Sequence, residues 1–230
     1  MPVSKSVSST DIREALERVR SRIEAAAVRS GRAAAEIILV AVTKGARPEA
    51  VRAAQEAGLT VFGENRVQEA QEKIAAAGPG CEWHLVGHLQ SNKTPAAVTL
   101  FQLIHSVDSV RLAQKIDQEA LAQGRVMPVL LEINISGEEQ KYGFAPEEIY
   151  SAIDAVKELP NLKVLGLMGI APNTADPEPR RQAFRKLKGL FTVCKGMIPM
   201  KALSMGMSDD FEIAIEEGAT MVRLGRAIFT

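Results

Sequence analysis

A regular alternation of short apolar, β-rich runs with amphipathic helical runs constrains the fold of this chain more than any other feature. The strand-like runs are residues 37–43, 59–63, 83–87, 101–107, 128–134, 164–169, 202–205 and 221–225. A helical pattern over residues 10–29 precedes them, and others lie between them at 48–58, 66–77, 108–123, 146–159, 179–195 and 209–217. Near-continuous apolar strands separated by helices predict a parallel sheet covered on both faces. Eight such units predict a TIM-type (β/α)8 barrel rather than an open, doubly wound sheet. With 230 residues and 46% hydrophobic content, the chain supports one large core and is too short for two roomy domains. The expected organisation is therefore a single α/β domain over 1–230, with residues 1–36 as a helical extension packed on the barrel. The run after the eighth strand is short, so the final helix is short and the N-terminal helix covers part of the gap.

Charge and cysteine content exclude several classes of function. Lys+Arg and Asp+Glu balance at 28 each, so no global field favours nucleic acid or an anionic membrane. Cys81 and Cys194 form no CxxC and indicate neither a disulfide framework nor a zinc site. The start is polar (Ser4, Ser6, Ser8, Ser9), and no apolar run reaches membrane-spanning length. The expectation is a cytoplasmic protein.

Polar residues gather where the strands end. Side chains alternate along a strand, so Ile38, Val40, Val42 and Lys44 share one face. If that face points inward, Lys44 emerges at the C-terminal mouth, where such barrels place their chemistry. Asn65, His88 and Asn134 follow the second, third and fifth strands, and Met168 lies late in the sixth. Ser204 and Arg223 sit within the last two strands. An inward Arg223 would bury a guanidinium, which is costly without a partner. The seventh and eighth strands run into the glycine turns Ser204-Met205-Gly206 and Leu224-Gly225-Arg226. Two such turns side by side offer backbone N–H groups to one anion.

A desolvated lysine close to another cation loses its proton more easily and can form a Schiff base with an aldehyde. A Lys44 nucleophile facing a phosphate cradle at Ser204, Gly206, Gly225 and Arg226 fits an aldehyde that carries a phosphate. Pyridoxal 5′-phosphate (PLP) is the economical candidate, with Arg223 beside the pyridine nitrogen. A cation there disfavours protonation of that nitrogen and weakens the ring as an electron sink. A class I aldolase acting on a sugar phosphate is the alternative on these residues alone.

Longer motifs carry a resemblance. Val40-Ala41-Val42-Thr43-Lys44, the run from Phe62 to Glu69, the run from Trp83 to Lys93 and Leu203-Ser204-Met205-Gly206-Met207-Ser208-Asp209-Asp210 resemble the pyridoxal phosphate homeostasis protein family, the YggS-like, proline synthetase co-transcribed proteins. The run from Asn134 to Glu139, Gly166-Leu167-Met168 and Met221-Val222-Arg223-Leu224-Gly225 match as well, so the resemblance extends from Glu36 onward. It implies a barrel like the N-terminal domain of alanine racemase. It further implies PLP on Lys44, phosphate contacts around Ser204, Gly206, Gly225 and Arg226, Arg223 at the ring nitrogen and Asn65 near the cofactor. Asn134, Met168 and His88 are expected as pocket wall or rim. The family is associated with control of free PLP and with amino-acid and keto-acid balance, without an assigned reaction. Arg226 stands where many relatives carry a small hydroxyl residue, and Tyr142 where a small residue is frequent.

Other groups have plainer readings. Asp209 with Glu212 fits a D-x-x-E capping box. His84, His88 and His105 match no metal-binding spacing and read as core or rim residues. Racemisation needs an acid–base group on each face of the substrate α-carbon, and Lys44 supplies one. Tyr142 and Tyr150 are the only tyrosines. A non-catalytic PLP carrier, monomeric, with PLP-dependent apoenzymes as recipients, is therefore the leading expectation; a PLP-dependent racemase or lyase is the alternative.

Overall fold

In a computed structural model of the chain, residues 8–138 and 140–230 are described; the polar positions Ser4 and Ser6, and Glu139, lie outside them. The elements follow in the order α1 (Ser9–Arg29), β1 (Ile38–Val42), α2 (Pro48–Glu56), β2 (Val61–Glu64), α3 (Val67–Ala77), β3 (Glu82–Leu85), α4 (Thr94–Leu100), β4 (Leu103–Val107) and α5 (Val110–Ala122). Then come β5 (Met127–Ile133), α6 (Ile149–Val156), β6 (Leu162–Gly169), α7 (Pro177–Cys194), β7 (Ala202–Ser204), α8 (Phe211–Glu216), β8 (Met221–Leu224) and α9 (Arg226–Phe229). The strands form a closed barrel in sequence order, every neighbouring pair parallel, with β1 closing on β8 through Val40 opposite Arg223.

Alternation divides the apolar residues between two cores. Ala41, Phe62, Leu85, Ile104, Leu131, Leu167, Leu203 and Leu224 point outward into the layer between sheet and helices. Leu103, Leu130, Met168, Ala202 and Met221 point inward and fill the lower barrel. α1 is amphipathic, with Ile12, Leu16, Val19 and Ile23 on its buried face, and it packs on α2, α8 and the four-residue α9. Its start is fixed by Ser8, whose hydroxyl accepts from the Asp11 N–H while Asp11 accepts from the Ser8 N–H, a reciprocal cap.

The structure corrects one local expectation. α8 begins at Phe211, one residue later than the capping-box spacing requires, with Asp210 at the N-cap position. Asp210 accepts from the Met207 N–H at 2.6 Å. Asp209 pairs instead with Arg226, and Glu212 with Arg22 at 2.7 Å. Neither supposed partner therefore closes a capping box, although Glu212 still lies in the first turn.

Candidate functional site

Because Ala41 packs on the helix side, Val40 and Val42 face the barrel and Lys44, two residues further, emerges at the C-terminal mouth. Lys44 is exposed there. A cleft of about 670 Å³ runs beside it, lined by Lys44, Asn65, Gly87, His88, Gln90 and Lys93 among others. The structure thus brings Lys44, Asn65 and His88 together from three successive strand ends. Asn65 Oδ1 is buried and has no hydrogen-bond partner, an unmet requirement that buried amides rarely carry unless something else satisfies it.

Beneath Lys44 lies a buried ionic knot. Lys73 of α3 donates to Glu64 Oε2 at 2.5 Å and to the Thr43 carbonyl at 2.7 Å. The Thr43 hydroxyl donates to the same Glu64 oxygen at 2.7 Å, and the Asn65 N–H donates to Glu64 Oε1 at 2.7 Å. The residues immediately before Lys44 and at Asn65 are therefore fixed by one carboxylate. Lys73 lies between Ala70 and Ala77 on the buried stripe of α3, a charge on an apolar face that the spacing made readable.

His88 sits at the rim. Its Nδ1 lies 3.0 Å from Asp108 Oδ2, and Tyr142 stacks on its ring with centroids 3.7 Å apart and planes 10° apart. Tyr142, whose position in the sequence suggested no role, is a rim cover on His88.

Across the mouth, Arg223 is buried inside the barrel, on the same face as Met221. It donates from Nη1 to Ser204 Oγ at 2.6 Å and from Nη2 to the Gly169 carbonyl at 3.1 Å. Burial pulls its guanidinium down to about 10, against the raising influence of Glu132 and Asp210. Glu132 shares the inward face of β5 with Leu130, and burial together with Asp108 pushes it up to about 7, against the pull of Arg223. The alternation at Leu130, Glu132 and Asn134 would have marked Glu132 as inward-facing.

The two glycine turns do meet. Ser208 Oγ accepts from the Ala227 N–H at 3.3 Å, and Asp209 pairs with Arg226, tying the loop after β7 to the start of α9. Gly206 adopts φ +92°, where a Cβ would lie 2.5 Å from that of Ala214, so only glycine fits. At Gly225 a Cβ would stand 3.0 Å from the Val42 carbonyl oxygen, so its absence lets β8 close against the end of β1.

Three expected site residues already have partners within the protein. Ser204 is fully buried in the barrel, where its hydroxyl serves Arg223 and His105, so the hydroxyl available at the meeting loops is that of Ser208. Asn134 donates its amide N–H groups to the Glu138 and Lys141 carbonyls and accepts from Ser136, pinning its own loop. Met168, next to last in β6, is buried among the inward apolar residues. Among the described residues there is no cluster of three His, Cys, Asp or Glu suited to a metal ion, and no helix is long and apolar enough to cross a membrane.

Residues 15–230 match the family model described as the alanine racemase N-terminal domain. A relative from Aquifex aeolicus, named pyridoxal phosphate homeostasis protein, is 44% identical over 219 residues, covering 94% of this chain and 96% of its own length. A relative of the same name from Escherichia coli K12 is 40% identical over 95% of this chain and 96% of its own. Among solved structures, PipY of Synechococcus elongatus with PLP bound superposes with a TM-score of 0.84 at 34% identity, over 95% of this chain and all (100%) of that one. The chain therefore belongs to the pyridoxal phosphate homeostasis protein family, built on the barrel of the alanine racemase N-terminal domain.

Proposed function

We propose that this chain binds PLP at the barrel mouth, with Lys44 as its covalent anchor, and takes part in PLP homeostasis as a carrier rather than a catalyst. The observation that carries the reading is the placement of Lys44 on the inward face of β1, beside the unpartnered Asn65 amide. The residues present fit PLP. An amine stands at one side of the mouth, a buried guanidinium lies beneath it, and two joined loops present the Ser208 hydroxyl and the turns at Gly206 and Gly225. When bound, PLP supplies an aldehyde for the amine and a ring whose electron demand depends on the partner of its nitrogen. Arg223 keeps its charge at neutral pH and favours an unprotonated ring nitrogen, which suits retention over turnover. Gly225 and Arg226 contribute backbone N–H groups toward the phosphate, and His88 borders the pocket. PLP-dependent apoenzymes are the recipients in this reading, and one barrel, acting as a monomer, supplies every residue named.

Borohydride reduction of the PLP-loaded protein, followed by peptide mapping, is expected to label Lys44, with no sustained product formed from L- or D-amino acids. A label on another lysine would relocate the site, and turnover abolished by Lys44→Ala would make the protein an enzyme.

Ser208→Ala is expected to weaken PLP binding by about one hydrogen bond to a charged group, roughly 1.5–3 kcal/mol. No measurable loss in Ser208→Ala would exclude its hydroxyl from the cradle.

A further inference from the structure

Five residues form a continuous line of hydrogen bonds through the barrel interior. Arg223 Nη1 donates to Ser204 Oγ at 2.6 Å, Ser204 Oγ lies 3.0 Å from His105 Nδ1, His105 Nε2 lies 3.0 Å from His84 Nδ1, and His84 Nε2 lies 3.0 Å from Glu82 Oε1. His84, His105 and Ser204 are buried, while Glu82, at the start of β3 on the barrel floor, is half exposed. The line therefore joins solvent at the floor to the guanidinium beneath the mouth.

Donor and acceptor chemistry gives the line a direction. Arg223 can only donate, so Ser204 accepts from it and has its own proton to give to His105 Nδ1. His105 then carries its proton on Nε2 and donates to His84 Nδ1, and His84 donates from Nε2 to an ionised Glu82. Every group is satisfied with both imidazoles neutral. In the alternative, His84 is charged and both imidazoles donate toward Ser204. That would place a second buried cation in line with Arg223 and leave the serine proton without an acceptor. Burial, with the Arg223 charge adding to it, pushes the His105 imidazole well below the ordinary histidine range, and the hydrogen bond from His84 holds Glu82 below the usual carboxylate range.

We propose that Glu82, His84, His105 and Ser204 are positioning residues for Arg223, a one-way relay that fixes from the barrel floor how the guanidinium is presented at the mouth. Its effect on bound PLP rests on the binding reading above. The relay itself is a property of the protein alone.

Nitrogen-15 imidazole spectra of the full-length protein without PLP, recorded at about pH 8, are expected to show the ring proton of both His84 and His105 on Nε2. Glu82→Ala removes the terminal acceptor and is expected to mix the His84 tautomers, and in the PLP-loaded protein to shift the bound-PLP absorption band. Glu82→Gln, whose amide oxygen still accepts, is expected to restore both. An Nδ1–H or charged imidazole at either histidine in the wild type would overturn the relay. An unmoved band in Glu82→Ala would overturn its positioning role. Failure of the wild type to develop any PLP band would defeat the binding reading instead, leaving the imidazole spectra to decide the relay.

Discussion

Replacing Lys73 by Met is expected to destabilise the fold by about 3–5 kcal/mol, the cost of leaving one partner of a buried ion pair uncompensated. Glu64 is fully buried and holds four groups in register: the Lys73 ammonium, the Thr43 hydroxyl, the Asn65 N–H and, through Lys73, the Thr43 carbonyl. Met fills the space of the lysine stem but cannot meet the charge, so the carboxylate must either take up a proton or drag water into the layer between β2 and α3. The double variant Lys73→Met with Glu64→Gln removes both charges and is expected to recover most of the loss, because a buried pair replaced as a pair costs far less than one broken in half. Urea denaturation midpoints of the two variants and the parent measure this, and a single-variant loss below about 1 kcal/mol would show that the pair is well solvated. A second readout ties the knot to the site. Asn65 lines the cleft and Thr43 immediately precedes Lys44, so Lys73→Met is also expected to weaken PLP binding under conditions where the protein remains folded, and the double variant to do so less.

Strand periodicity made the barrel legible, because an apolar run between amphipathic helices has few other uses. Every expected strand overlaps an observed one, and Lys44 follows from counting along β1. The strand ends are harder to read: residue 43, read as strand, belongs to a turn held by Glu64, and residue 66, read as helix, is the N-cap of α3. In the sequence Ser204 directly precedes the glycine turn, which points to it as a phosphate-cradle candidate. Strand alternation places it inward beside Ala202, and the loop hydroxyl is four residues later at Ser208. The Lys73–Glu64 pair joins two consecutive elements and the histidine line joins strands up to 99 residues apart, contacts that no strand or helix period expresses. Their only sequence trace is polarity at positions where the period calls for an apolar side chain.

Stability is expected to fall as pH rises through neutrality, and Glu132→Gln to remove much of that fall. Unfolded, Glu132 ionises near 4.5; inside the barrel, burial and the neighbouring Asp108 push it up to about 7, although Arg223 pulls the other way. Between those values the folded chain keeps a proton that the unfolded chain has released. Its contribution is therefore fully present below 4.5 and is lost as pH rises through about 7. At ~1.4 kcal/mol per pH unit, the interval amounts to about 3 kcal/mol. Gln reproduces the shape of the neutral acid and never ionises. The variant is thus expected to match the parent in acid and to exceed its stability by up to about 3 kcal/mol near pH 8. Equal stabilities at both ends of the range would mean that Glu132 ionises freely, its charge fully met by Arg223. The same substitution tests how the guanidinium is held. With Glu132 neutral at all pH values, Asp210 and the hydrogen bonds to Ser204 and the Gly169 carbonyl remain to hold Arg223. A bound-PLP spectrum that no longer varies between about pH 6 and about pH 8 in Glu132→Gln would identify this carboxyl as the group through which proton concentration reaches the cofactor.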